Sequence, residues 1–209
     1  MDLTLGLLEI STRAHLADRL QTFSPSDHGD RGDHTLNPDM LPDFSLTQAA
    51  VLIPVVDRKD GLTVLFTQRT DHLEHHPGQI SFPGGHRDAE DITLEETALR
   101  ETEEEVGIDR QHIEILGRIS QYKTRTGFDV TPVVGFLQPD FKIKIDTFEV
   151  AEVFEVPLTF FLDPSNHERH KREFQGAERE FFAMPYNGYY IWGATAGMLV
   201  NFYEVLSRS

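Results

Sequence analysis

The sequence predicts an α/β protein, in which apolar strands surround one strongly acidic helix and an apolar helix follows them. Three observations carry this reading. Short apolar runs bounded by Gly, Pro, Asn or Asp recur between Gln48 and Val156, the pattern of strands. The segment Leu94–Val106, LEETALRETEEEV, lies between Thr93, an N-cap residue, and Gly107, a C′ residue. The stretch Gly193–Leu206 is apolar over the length of a core helix.

In chain order, residues 11–23 (STRAHLADRLQTF) read as an amphipathic helix capped by Ser11, with Leu16, Leu20 and Phe23 as its buried stripe. The following SPSDHGDRGDHTLNPDMLPD is polar and aperiodic, and reads as a long connecting segment. Residues 1–45 are therefore expected to be a helix and a connector, and residues 46–209 the catalytic domain. Strands are expected at Gln48–Val56 and Leu62–Gln68, joined by a hairpin turn at Lys59-Asp60-Gly61, and then at Gln79–Phe82. After the acidic helix come strands at Ile113–Leu116, Ile119–Tyr122, Val130–Leu137 and Phe154–Val156. A short helix over Leu158–Leu162 stops before Pro164. A hairpin from His170–Phe174 to Glu180–Tyr186 turns near Gln175-Gly176-Ala177.

Composition narrows the classes of function. The chain has 209 residues, enough for one substantial core and few for two domains. A net charge of −16 leaves no basic surplus to replace phosphate counterions, which argues against nucleic acid as a partner. It also means that a phosphate-bearing substrate needs cations and local Arg or Lys to reverse the field at its site. With no cysteine, disulfides, thiolate zinc sites and cysteine nucleophiles are excluded. No apolar run approaches membrane-spanning length and the first residues lack a secretory pattern, so a soluble, cytoplasmic protein without a membrane partner is expected.

The chemistry concentrates in the acidic helix. Spacings of three and four residues bring Glu101, Glu104 and Glu105 onto one face. Three neighbouring carboxylates repel one another unless a cation neutralises them, and hard oxygen ligands suit Mg²⁺ or Mn²⁺. Arg100 precedes the first acid and Gly84-Gly85 lies upstream, where a backbone without side chains can approach a metal or a phosphate. The combination points to metal-assisted hydrolysis of a phosphate compound. The histidines His72, His75, His76, His86, His167 and His170 lack the HEXXH arrangement and are not read as a zinc site.

These residues resemble the Nudix hydrolase signature, GX5EX7REUXEEXGU, with U a bulky apolar residue. Arg100–Ile108, RETEEEVGI, follows its second half, Gly85 matches its opening glycine, and Asp91 stands where the first Glu belongs. Two positions depart from it: eight residues separate Asp91 from Arg100, and Thr102 replaces the bulky apolar residue. Upstream, LFTQRTDHLEHHPGQISFPGG at Leu65–Gly85 is similar to the extra motif of the coenzyme A diphosphatase branch, with Leu65, Thr67, Arg69, Gly78, Phe82, Pro83, Gly84 and Gly85 in register. Glu74 departs from it, being acidic where a basic residue belongs. VTPVVGF at Val130–Phe136, VFEVPL at Val153–Leu158 and IWGATAGMLVNF at Ile191–Phe202 look like the same branch, so the resemblance covers about residues 46–206.

The resemblance implies a mixed β-sheet sandwiched between α-helices. It further implies cleavage of the pyrophosphate bond of coenzyme A or acyl-coenzyme A, with Glu101, Glu104 and Glu105 holding Mg²⁺ or Mn²⁺ and a homodimer as the assembly. Alternatives are the same chemistry on another nucleoside diphosphate derivative such as ADP-ribose, and a noncatalytic nucleotide-sensing module. Glu149 or Glu152 is expected to orient or deprotonate the attacking water. Arg100 is expected to orient an acid of the cluster through bidentate pairing, or to touch phosphate. Arg69 and Arg125, with Lys123, are candidates for binding substrate phosphates, beside Gly84 and Gly85. The run Tyr186, Tyr189, Tyr190, Trp192 either stacks an adenine ring or packs the last helix on the sheet.

Overall fold

The computed structural model describes residues 11–24, 29–73, 76–174 and 176–207. Glu74 and His75, on which two of the readings above fall, lie outside the described residues, as does Gln175 in the turn of the second hairpin.

Among the described residues a mixed nine-stranded sheet forms the centre. Its spine is the parallel pair β2 (Thr47–Arg58) and β8 (Phe128–Leu137), in register from Thr47↔Phe128 to Val56↔Leu137. Both strands are covered on two faces, which is why they read as unbroken apolar runs and not as alternations. Strand β3 (Gly61–Arg69) returns antiparallel to β2 through Lys59-Asp60, with Arg58 opposite Gly61, and β9 (Val150–Pro157) lines its other edge. The short β4 (Ile80–Ser81) pairs with the end of β3, and β5 (Gly84–His86) with the start of β2. Strands β6 (Ile113–Arg118) and β7 (Tyr122–Lys123) both pair antiparallel with β8.

Helices cover both faces of this sheet. The acidic helix, α2 (Leu94–Val106), packs Ala98 and Val106 into a cluster with Ala50, Leu52, Val56, Leu65, Val133 and Leu137. On the opposite face α1 (Arg13–Thr22), α3 (Leu158–Leu162) and α4 (Ala194–Ser207) enclose a larger core around Phe66, Phe82, Phe161 and Phe202. The chain is thus an α/β protein with a mixed sheet sandwiched between helices. A second, three-stranded antiparallel sheet of β10 (Glu168–Phe174), β11 (Ala177–Tyr186) and β12 (Tyr189–Trp192) follows α3.

Several elements differ from the sequence expectation for identifiable reasons. Thr12, not Ser11, caps α1, its hydroxyl accepting the N–H of His15 at 3.2 Å. Leu16 and Leu20 of that helix are buried in the main core, and Phe23 packs at its margin. The described part of the polar connector carries order: β1 (Arg31–Gly32) pairs parallel with β7, and two 3₁₀ turns follow at Asp33–Thr35 and Pro38–Met40. Polar side chains fix it to distant strands. Asp33 accepts hydrogen bonds from the Tyr122 hydroxyl at 3.0 Å and the Arg125 N–H at 2.9 Å. Buried Asn37 donates to the Glu180 carbonyl at 2.8 Å and accepts its N–H at 3.0 Å. Strand β6 runs on through Arg118 with a bulge near Gly117, which shortens β7 to two residues. Strand β12 closes a hairpin through Asn187-Gly188, both at positive φ, the conformation a two-residue turn requires. Two of its aromatic residues pack, Tyr189 stacking on Phe154 at 3.6 Å and Trp192 meeting Phe181 edge-on at 5.3 Å, while Tyr190 is exposed and shares a hydrogen bond with His170 at 2.7 Å.

Candidate active site

Local chemistry fixes both ends of α2. The Thr93 hydroxyl accepts the Glu96 N–H at 3.2 Å while the Glu96 carboxylate accepts the N–H groups of Ile92 and Thr93, a reciprocal capping box. Gly107 takes φ +69° and donates to the Glu103 carbonyl at 3.0 Å. The orphan carbonyls of the last turn are met from outside: Lys144 N–H reaches the Val106 carbonyl at 2.8 Å and Asp146 N–H the Glu105 carbonyl at 2.9 Å. The loop between β8 and β9 is thereby fastened to the acidic helix.

The helix lies close to the sheet because its buried face is small, with Thr97, Ala98 and Thr102 all inaccessible to solvent. Thr102, the departure from the family pattern, satisfies its hydroxyl on the Ala98 carbonyl at 2.6 Å. Gly84 and Gly85 complete the approach. A Cβ on Gly84 would lie 2.4 Å from the Ala50 carbonyl oxygen, and one on Gly85 would lie 2.5 Å from the Glu101 carboxylate. Neither position has room for a side chain, so Glu101 rests against bare backbone.

Arg100 organises the cluster. Its Nε and Nη2 donate to the Asp91 carboxylate at 3.2 and 3.0 Å, and Nη2 also reaches the His86 carbonyl at 3.2 Å. Its Nη1 lies 2.9 Å from Glu101 and 3.1 Å from Glu104. Asp91 is 7% exposed and accepts further bonds from the Thr97 hydroxyl at 2.9 Å and the Asp88 N–H at 3.0 Å. The Arg100 guanidinium, aided by these donors, holds the Asp91 carboxyl down at about 2. The shorter acid thus anchors Arg100 from the loop before the helix. That anchoring, with its supports Asp88, Thr97 and the His86 carbonyl, escaped the sequence reading; Asp88 in the run GGHRDAED was the visible hint.

Glu105 is the electrostatic centre. It is 6% exposed, and its Oε2 is buried without a hydrogen-bond partner among the described residues. Burial is the largest cause pushing its carboxyl up to about 8, followed by repulsion from Glu101. Arg69 opposes that rise, while Glu149 adds to it, and a hydrogen bond from the Gly84 backbone also favours the charged form. Burial likewise raises Glu101, against the pull of Arg100. Glu104, its side chain 60% accessible, stands at the rim. Glu103 points away and pairs with Arg110 at 3.3 Å.

Among the described residues no three acids or histidines already converge as a metal cage, since Glu101 and Glu104 both turn toward Arg100. The donor set nevertheless fits a hard divalent cation. An unpartnered buried carboxylate oxygen, beside two other acids and a glycine backbone, lacks positive charge. Of the expected site residues, Arg69, Gly84, Gly85, Arg100, Glu101, Glu104, Glu105 and Glu149 come together. Arg125 stands apart: its guanidinium lies 3.8 Å over the Phe174 ring and its N–H serves Asp33. Lys123 pairs with Asp30 at 2.9 Å. Glu152 accepts the Tyr189 hydroxyl at 2.7 Å, and of these two acids Glu149 is the one whose charge reaches Glu105.

A family model for the NUDIX domain matches residues 46–183. The chain belongs to the Nudix family. Within it, the chain is similar to an Enterobacter sp. (strain 638) protein named uncharacterized Nudix hydrolase NudL, 41% identical over 165 residues, covering 78% of this chain and 85% of that one. A Yersinia enterocolitica protein of the same name is 40% identical over 151 residues, covering 72% and 77%. These relatives put the chain in the NudL-like branch of the Nudix family. Among solved structures, the Nudix hydrolase RenU of M. smegmatis aligns with a TM-score of 0.47 at 22% identity, over 55% of this chain and 73% of that one. No helix among the described residues of this Nudix protein is long and apolar enough to cross a membrane.

Proposed function

We propose that this Nudix protein hydrolyses the pyrophosphate bond of coenzyme A or an acyl derivative, releasing 3′,5′-ADP and 4′-phosphopantetheine or its acyl form. The observation that carries the hydrolytic reading is Glu105: a buried carboxylate, one oxygen unpartnered, raised to about 8 beside Glu101 and Glu149. Such a group is expensive unless a cation completes it. Glu101, Glu104 and Glu105 would hold Mg²⁺ or Mn²⁺. When bound, the ion supplies charge neutralisation to the pyrophosphate and acidifies water.

The chain's own residues do the rest. Arg100, tied to Asp91, holds Glu101 and Glu104 side by side on one guanidinium nitrogen. Arg69 has an Nε without a partner among the described residues and feels Glu105, which suits it to a phosphate oxygen. Gly84 and Gly85 let Glu101 and Glu105 pack against bare backbone, which sets these acids beside the diphosphate. Glu149 takes the proton of the attacking water as the new bond to phosphorus forms and the bridging P–O bond breaks. The coenzyme A assignment is supported by the Leu65–Gly85 resemblance. Glu74 favours a second reading, the same hydrolysis on another nucleoside diphosphate derivative such as ADP-ribose.

A mass-spectrometric product assay tests this, supplying coenzyme A and ADP-ribose separately with Mg²⁺ or Mn²⁺ beside a Glu104→Gln control. Release of 3′,5′-ADP and 4′-phosphopantetheine, reduced at least about 100-fold in the control, supports the proposal. Turnover of ADP-ribose alone discards the coenzyme A assignment. Turnover of neither, with Mg²⁺-dependent nucleotide binding, replaces hydrolysis by sensing.

A further inference from the structure

One aromatic side chain next to Glu149 lies outside the core. Phe148 is 64% exposed, although its backbone is held on both sides. Its N–H donates to the Asp146 carboxylate at 2.8 Å, and its carbonyl accepts the Thr70 hydroxyl at 2.8 Å. The Thr70 N–H donates to the Glu149 carbonyl at 2.9 Å, and Asp146 is itself fastened to Glu105. A single apolar side chain on a surface needs no explanation. This one differs in where its anchors lead: to the residue after Arg69, to the last turn of the acidic helix, and to its own neighbour Glu149. The His72 ring meets the Phe148 ring edge-on, with centroids 5.0 Å apart and planes at 62°. The Phe148 ring is therefore presented next to Glu149 on a loop already ordered, met by His72 from the segment after β3, so little ordering entropy opposes ligand binding there. The face of a phenyl ring suits a planar π system, and the planar part of a nucleoside diphosphate derivative is its base.

The geometry points to a stacking platform: we infer that Phe148, flanked by His72, receives the nucleobase of the substrate and thereby selects nucleoside derivatives. This rests on the hydrolytic reading of the site. In the aromatic run of β12, Tyr189 packs on Phe154 and Trp192 on Phe181, and the exposed Tyr190 shares a hydrogen bond with His170 on the three-stranded sheet, whereas Phe148 adjoins Glu149.

The test uses the full chain with Phe148→Ala, Phe148→Trp and His72→Ala. KM and kcat are measured with coenzyme A and with ADP-ribose, and binding of the fluorescent probe 1,N6-etheno-ADP is measured with Mg²⁺ present. Phe148→Ala should raise KM and the probe's Kd about 10-fold to 100-fold, the cost of one lost base stack, with kcat moving far less. Phe148→Trp should restore probe affinity, and inhibition by inorganic pyrophosphate, which has no base, should not change. Unaltered probe affinity in Phe148→Ala overturns the platform, as does an equal loss for the probe and for pyrophosphate. If the wild type hydrolyses no nucleoside diphosphate derivative the hydrolytic reading fails, and the probe titration still decides the platform.

Discussion

Replacing Glu105 by Gln should stabilise the metal-free protein at alkaline pH while abolishing hydrolysis. An unfolded glutamate titrates near 4.5, whereas burial and the charges of Glu101 and Glu149 raise Glu105 to about 8 in the folded chain. Between those values the folded state holds a proton that the unfolded state has released, so stability falls as pH rises through that window. At about 1.36 kcal/mol per unit, the whole window amounts to an upper limit of about 5 kcal/mol. Water admitted on ionisation lowers that limit, and a measured effect of about 2 kcal/mol or more is expected. The residue is 6% exposed, so solvent screening takes away little. Gln is isosteric, can still accept the Gly84 N–H, and carries no charge at any pH. Urea titrations in EDTA, followed by circular dichroism at about pH 5 and about pH 8, should show the wild type losing stability between them and Glu105→Gln holding level. Mg²⁺ should then raise wild-type stability at about pH 8 more than that of the variant. A wild type as stable at the higher pH as at the lower, or a variant equally destabilised at both, would refute the electrostatic reasoning.

Asp91→Asn removes the charge that Arg100 is built around, and should cost about 3–5 kcal/mol in denaturant titration at neutral pH. Asp91's own contribution, fully present above 3.8, should fade as pH falls toward about 2. Gly85→Ala puts a methyl group 2.5 Å from the Glu101 carboxylate; turnover at saturating Mn²⁺ should collapse, with stability lowered by about 1–3 kcal/mol. Leu16→Ala empties a fully buried position on α1 and should cost about 2–5 kcal/mol. A single cooperative transition in that variant would show that the N-terminal helix unfolds with the rest of the core.

What the sequence disclosed depended on how locally each feature is specified. Helix α2 was legible at both ends, because Thr93, Glu96 and Gly107 act on backbone groups three or four residues away. Strands β2 and β8 were legible as apolar runs because both their faces are covered. Strand β5 left no apolar trace: its two glycines are there for closeness to β2 and Glu101. The order in the connector rests on Asp33 and Asn37 bonding to residues about 90 and 143 positions away, which no local pattern encodes. In the site, helical spacing put Glu101, Glu104 and Glu105 on one face, and it took the glycine pair, Arg100 and Gly107 in register with the family signature to single them out. The burial of Glu105 and the anchoring of Arg100 required the sheet and the preceding loop. Arg125 was drawn off by Phe174, a ring 49 residues further along the chain.

The loop between β8 and β9 meets the acidic helix through main-chain groups, the N–H groups of Lys144 and Asp146 on the carbonyls of Val106 and Glu105. Such bonds are indifferent to side-chain identity. The side chains at 147 and 148 can therefore be exchanged without touching these fasteners or the last turn of the helix that carries Glu105. One stretch of main chain thus fixes the loop in place and leaves its side chains free to differ.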